Sequence, residues 1–161
     1  MTGIAFTLNG KPVALDVHPS QNLLGLLRET LGLTGTKCGC DTGDCGACAI
    51  LLDGRLVYSC RVQAGDLEGR QVVTIEGVHG PDGGLSAVQE AFLAHGAVQC
   101  GYCIPAMVLA GEALLARSPA PTRQEIREAI TPVLCRCTGY QQIIEAIEDA
   151  AARRQGAPQL G

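Results

Sequence analysis

The sequence predicts an α+β fold in two parts: a small mixed β-sheet gripping one helix, then a four-helix bundle. Three observations predict it. Apolar residues alternate in short runs through about the first 75 residues, punctuated by Asn9-Gly10 and Asp53-Gly54, both strong signals for tight hairpin turns. Beyond Gly80-Pro-Asp-Gly-Gly84 that two-residue period disappears, and two capping-box sequences open helical stretches instead. Nine cysteines are divided between the parts, five up to Cys60 and four from Cys100 onward. The division expected is residues 1–79 and 80–161.

In the first part, Ile4, Phe6 and Leu8 alternate before Asn9-Gly10, and Val13, Leu15 and Val17 alternate after it, which makes residues 4–17 a hairpin. Pro12 has no N–H to give to a neighbour, so its strand should be exposed along part of one edge. Ser20 is placed to cap a helix through about Leu31, with Leu23, Leu24, Leu27 and Leu31 as its apolar stripe and Gly32 as its stop. A cysteine-rich loop follows. Ala49–Leu52 and Arg55–Ser59 form a second hairpin about Asp53-Gly54, and Val72-Val-Thr-Ile75 reads as a last short strand.

In the second part, Ser86-Ala-Val-Gln89 opens a helix that ends near Gly96, because Ser and the Gln three residues on can each satisfy an unpaired N–H. Pro105 suits the first position of a helix to about Arg117. Ser118-Pro-Ala-Pro121 breaks the chain, and Thr122-Arg-Gln-Glu125 is a second capping box. A last helix should run from about Tyr140 to Arg154, burying Ile143, Ile144, Ile147, Ala150 and Ala151, with Glu145, Glu148 and Asp149 on a solvated face. The tail from Gln155 to Gly161 reads as loose.

Composition narrows the function. The 161 residues are 47% hydrophobic and 17% charged, as in a folded globular chain. A net charge of −4 with no basic run argues against nucleic acid, and 3% aromatics with no Trp leaves no platform for stacking bases. No apolar stretch reaches the roughly 20 residues of a membrane span. The first residues carry no export signal, so the expected location is the cytoplasm, where nine cysteines suit metal binding better than disulfides. His18, His79 and His95 pair with no cysteine at the spacing of a nucleophile and its base.

Cys40, Cys45 and Cys48 are spaced C-x₄-C-x₂-C, with Cys60 downstream. That is the plant-type pattern for holding a [2Fe–2S] cluster on four thiolates. Three ligands must reach one small core from one loop, so the loop must curl. Gly39, Gly43 and Gly46 fall where left-handed backbone or close approach is needed. The curl also turns N–H groups towards the sulfurs' negative charge. With the element order, this first half matches a β-grasp, plant-type ferredoxin.

The second set is Cys100-Gly-Tyr-Cys103 and Cys135-Arg-Cys137. Each pair lies just before an expected helix, so two helix N-termini, with their unpaired N–H groups, can converge on one anionic core. Pseudo-twofold pairing is expected there. Taken alone, C-x₂-C with C-x-C suits a Cys₄ zinc site as well as a cluster.

The two sets together resemble the small iron–sulfur subunit of the molybdenum hydroxylases over about residues 4–152. The matching motifs are Leu31-Gly-Leu-Thr-Gly-Thr-Lys37, Cys40-Asp-Thr-Gly-Asp-Cys-Gly-Ala-Cys48, Gln99-Cys-Gly-Tyr-Cys103 and Leu134-Cys-Arg-Cys-Thr-Gly-Tyr140. The resemblance implies two [2Fe–2S] clusters: an outer one on Cys40, Cys45, Cys48 and Cys60, and an inner one, nearer molybdenum, on Cys100, Cys103, Cys135 and Cys137. It implies that Gln99 and Cys137 lie against the molybdopterin cofactor, in its dinucleotide form, of a large subunit; read without the resemblance, Gln99 is a polar residue at a helix end. It implies one-electron relay towards FAD in a medium subunit, within a heterotrimer or its dimer, with no catalytic residue in this chain. The sequence departs from the family's usual Gly-Met at Ala106-Met107 and from its Gly-Asn at Thr131-Pro-Val133. Cys38 is expected to be an inert buried neighbour. The rival readings are a free-standing two-cluster ferredoxin and a double-zinc adaptor.

Overall fold

A computed structural model describes residues 1–156 of the chain. The first hairpin forms as the alternation dictates: β1 (Thr2–Leu8) and β2 (Lys11–Val17) pair antiparallel around Asn9-Gly10, both left-handed as a type I′ turn requires. The second hairpin, β3 (Ala49–Leu52) and β4 (Arg55–Tyr58), turns on left-handed Asp53-Gly54. The last strand, β5 (Gln71–Val73), is shorter than expected, since Ile75 already begins a 3₁₀ turn. It runs parallel to β1 and antiparallel to β3, so the sheet order is β2-β1-β5-β3-β4. Pro12 lies on β2, an edge strand, where its missing N–H costs no ladder bond.

The helix on this sheet, α1 (Leu23–Gly25), widens into a π-helical stretch, Leu26–Thr30, closed by the Leu31 N–H reaching the Leu26 carbonyl. The wider turn brings Leu26 as well as Leu23 and Leu27 into the core with Ile4, Phe6 and Ile50. The cap is Asn22, not Ser20: Asn22 Oδ1 accepts the Gly25 N–H at 2.8 Å, while the Ser20 hydroxyl is bonded to the His18 ring. A β-bridge from Asn22 to Gln63 holds the capping residue extended. Asn22→Ala is therefore expected to cost about 1 kcal/mol of stability, and Ser20→Ala only a few tenths, in chemical denaturation.

After the sheet come α2 (Ala87–Ala94), α3 (Ile104–Arg117), α4 (Arg123–Ile130) and α5 (Gln141–Gly156). Both capping boxes are formed, Ser86 with Gln89 and Thr122 with Glu125. Helix α3 begins one residue before Pro105. Helix α5 begins one residue after Tyr140, which is left-handed at φ +70°, and it includes Gln155 and Gly156, which the sequence suggested were loose. The rest of that tail lies outside the described residues. Phe92, Met107, Leu114, Ile126, Ile143 and Ile147 are fully buried between the helices. A Cβ on Gly111 would stand 3.2 Å from Val88 and 3.3 Å from Ile147, so α3 packs closely on α2 and α5. Glu148 and Asp149 are not a free solvated face. Arg123 binds Glu148 at 2.6 Å and His95 binds Asp149 at 3.1 Å, tying α5 to its neighbours, while Arg153 binds Asp149 at 2.7 Å along α5 itself. Among the described residues no helix is long and apolar enough to cross a membrane.

Candidate metal centres

The loop between α1 and β3 curls back on itself. Its Lys37 N–H reaches the Ala47 carbonyl at 3.3 Å. Inside the curl the backbone N–H groups of Thr42, Asp44 and Cys45 point at Cys40 Sγ, at 3.4, 3.4 and 3.3 Å. The Thr42 hydroxyl and these N–H groups lower the Cys40 pKa to about 5. The hydroxyl proton is already directed to Asp44 Oδ2 at 2.5 Å, so the N–H groups are the durable part of this effect. Gly39 lies so close that a Cβ there would stand 2.6 Å from Cys45 Sγ.

Cys60 arrives as expected, on a 3₁₀ turn (Ser59–Arg61) directly after β4. The hairpin returns it beside Cys48: the Ser59 N–H and hydroxyl both donate to the Cys48 carbonyl, at 3.2 and 2.8 Å. Cys48 and Cys60 are buried with Leu24. The four thiols fall into two contacting pairs, Cys40 with Cys45 and Cys48 with Cys60. Burial, then the neighbouring thiols, push Cys45 up and Cys60 up to about 12.

The second set is drawn together from two loops. Cys103 is the residue preceding α3 and is buried; Cys135 is half-buried; Cys100 and Cys137 are exposed. The pairs form crosswise, Cys100 with Cys137 and Cys103 with Cys135, so each pair takes one thiol from each motif. Burial, followed by Cys135, pushes Cys103 up to about 12, and the hydrogen bond with Cys100 raises Cys137. Burial opposes ionisation of Cys135, but the Thr138 hydroxyl and nearby N–H groups outweigh it and lower its pKa.

Both sets suit a small cationic core. Thiols crowded in this way resist becoming thiolates together unless a metal neutralises them, and a coordinated thiol gives up its proton. Four thiolates on one zinc ion must converge on a single centre, whereas a two-iron core divides its four between two metals. In both sets the thiols contact one another two by two, the form in which a two-iron core divides its ligands.

Three hydrogen bonds tie the two halves of the molecule to each other around the thiols. The Leu134 N–H donates to the Cys45 carbonyl at 2.9 Å, Tyr58 Oη to the Pro132 carbonyl at 2.8 Å, and Tyr102 Oη to the Cys38 carbonyl at 2.5 Å. Thr131–Val133, where the sequence departs from the family's usual residues, therefore packs on the first loop. Ala106, the other departure, is fully buried in the helical core. Cys38 is exposed, contrary to expectation, and its carbonyl accepts the exposed Tyr102 hydroxyl. Gln99 is exposed next to Cys100. The histidines stand apart from the thiols, His18 on Ser20, His79 on the Gly80 carbonyl and His95 on Asp149.

Comparison with known proteins gives matching results for the two halves. Residues 6–74 match the family model described as a 2Fe-2S iron-sulfur cluster binding domain, and residues 74–148 match the one described as a [2Fe-2S] binding domain. The chain is 45% identical over 150 residues to the nicotinate dehydrogenase small FeS subunit of Eubacterium barkeri, covering 93% of this chain and 95% of that one. It is 45% identical over 148 residues to the xanthine dehydrogenase iron-sulfur-binding subunit of Escherichia coli O157:H7, covering 91% and 92%. A chain of quinoline 2-oxidoreductase from Pseudomonas putida 86 superposes with a TM-score of 0.90 at 46% identity, over 96% of this chain and 97% of that one.

Proposed function

The chain belongs to the small iron–sulfur subunits of the molybdenum hydroxylases, and from that premise we propose what each half does. Cys40, Cys45, Cys48 and Cys60 hold the outer [2Fe–2S] cluster, and Cys100, Cys103, Cys135 and Cys137 the inner one, in domains that meet near residues 79 and 80. When bound, the clusters supply one-electron chemistry, from a molybdopterin site in a large partner towards FAD or another acceptor. The chain's residues do the rest. The N–H groups on Cys40 favour its thiolate, the burial of Cys48, Cys60 and Cys103 keeps water from three of the eight ligands, and the bonds between Leu134 and Cys45 and between Tyr58 and Pro132 fix one site against the other. Substrate is transformed in the large subunit; among the described residues the histidines bond to Ser20, the Gly80 carbonyl and Asp149 rather than to a thiol.

The observation that carries the reading is where the second set opens. Cys100, Cys137 and Gln99 are exposed, and around them stand exposed Val98 (38%), Tyr102 (46%) and Leu134 (59%). Apolar side chains surrounding functional polar ones form the kind of surface that a fixed partner covers. A free-standing ferredoxin would have no use for it. On this reading Gln99 and Cys137 face the pterin of the large subunit, in its dinucleotide form. A medium subunit carries FAD in a heterotrimer or its dimer, and the complex works in the cytoplasm.

Chemical analysis of native material tests the proposal. About four irons and four acid-labile sulfides per chain are expected, with two distinct S = 1/2 EPR signals after dithionite. Colourless protein holding two zinc ions and no sulfide would sink it.

A further inference from the structure

The residues after the last cysteine pair close a ring that the relay described above leaves without a purpose. The Cys135 N–H donates to Tyr140 Oη at 2.9 Å. The Tyr140 N–H donates to Thr138 Oγ1 at 3.1 Å. Thr138 Oγ1 lies 3.1 Å from Cys135 Sγ. Tyr140 holds a left-handed backbone, φ +70°, that a side chain of its size rarely adopts, and such a conformation persists only where the surroundings enforce it. Here the two bonds through Tyr140 enforce it, and their joint effect is to aim the Thr138 hydroxyl at the sulfur. Thr138 is one of the few buried polar residues, 8% exposed, so water does not compete for that hydroxyl.

The direction of the third bond follows from the other two groups. Thr138 Oγ1 already accepts the Tyr140 N–H, and a ligating sulfur has no proton to give. The hydroxyl is therefore the donor. We propose that Thr138 is a positioning residue that sets the redox poise of the inner site, by giving its hydroxyl proton to Cys135 Sγ in an orientation that Tyr140 enforces. The inference rests on Cys135 being a ligand. A hydrogen bond to a ligand sulfur favours the more negative, reduced state of the cluster, so its presence raises the potential. The two sites differ in this respect. Backbone N–H groups serve Cys40 and survive any substitution of their side chains, whereas at Cys135 the Thr138 hydroxyl stands beside backbone N–H groups and is the donor that one mutation removes.

The test is a potentiometric titration, followed by EPR, of the whole complex carrying Thr138→Val, which keeps the shape and removes the donor. The inner signal is identified as the one that Cys103→Ser abolishes. Its oxidised-to-reduced ratio at fixed potential should rise about tenfold, a fall of about 59 mV in a one-electron midpoint. The outer midpoint should stay in place, and Thr138→Ser should return the inner one to its original value. An unmoved inner midpoint, equal falls at both sites, or a Ser variant that behaves like the Val variant would overturn the proposal. If Thr138→Val loses the inner signal altogether, a normal midpoint in Thr138→Ser supports the hydroxyl's role, and loss there too refutes it. An unmodified complex without [2Fe–2S] signals would overturn the ligand reading itself, and this inference with it.

Discussion

Gly46→Ala is expected to destabilise the chain by about 4 kcal/mol or more, an unusually large loss for one methyl group. Gly46 is left-handed at φ +72°, and a Cβ on it would stand 2.0 Å from the Pro132 carbonyl oxygen and 2.9 Å from Val133 Cα. These are backbone atoms and cannot swing aside as a flexible side chain could. The same stretch donates the Leu134 N–H to the Cys45 carbonyl and accepts the Tyr58 hydroxyl at Pro132. The methyl group must therefore push the two thiol loops apart and break these bonds. Gly54→Ala is the control: it is left-handed too, at φ +76°, but nothing lies within 4 Å of the added carbon, so it should cost only about 1–2 kcal/mol. Denaturation midpoints of the two variants decide the matter. Equal losses would mean that backbone strain alone is at work and that the contact with Pro132 does not matter.

Cys45→Ser should abolish or alter the outer-cluster EPR signal and leave the inner one, and Cys103→Ser should do the reverse. Cys45 contacts Cys40, and Cys103 contacts Cys135, so each change removes one member of a pair within one set. The sites touch through Leu134 and Cys45, but through a backbone carbonyl that serine at position 45 retains. If either variant lost both signals equally while remaining folded, the assignment of one cluster to each thiol set would be wrong.

Much of this was legible because the signals are local. Asn9-Gly10 and Asp53-Gly54 specify their turns within four residues, and each capping box closes over a three-residue step. The cysteine spacings are chemical requirements written along a short loop. Errors arose where neighbours compete or the partner is distant. Ser20 and Asn22 are both good caps; the choice fell to the bridge from Asn22 to Gln63 and to the His18 ring that occupies Ser20. Gly46 is left-handed and closely approached, as expected, but what approaches it is Pro132, from the other half of the molecule, which no local pattern shows. Cys38 was expected inside, but the Tyr102 hydroxyl that fixes its carbonyl comes from 64 residues away. Thr138 and Tyr140 lie in the Leu134–Tyr140 motif, but no periodicity shows that a tyrosine will adopt a left-handed backbone.

The crosswise pairing at the second set bears on how that end is built. In the first loop Cys40 and Cys45 already face each other, so a newly made stretch of a few residues offers an arriving metal two donors. At the other end neither short motif holds a complete pair, because Cys100 waits for Cys137 and Cys103 for Cys135. The thiol contacts at this end therefore form only once the loops before α3 and α5 have come together, whereas the contact of Cys40 with Cys45 needs one loop alone.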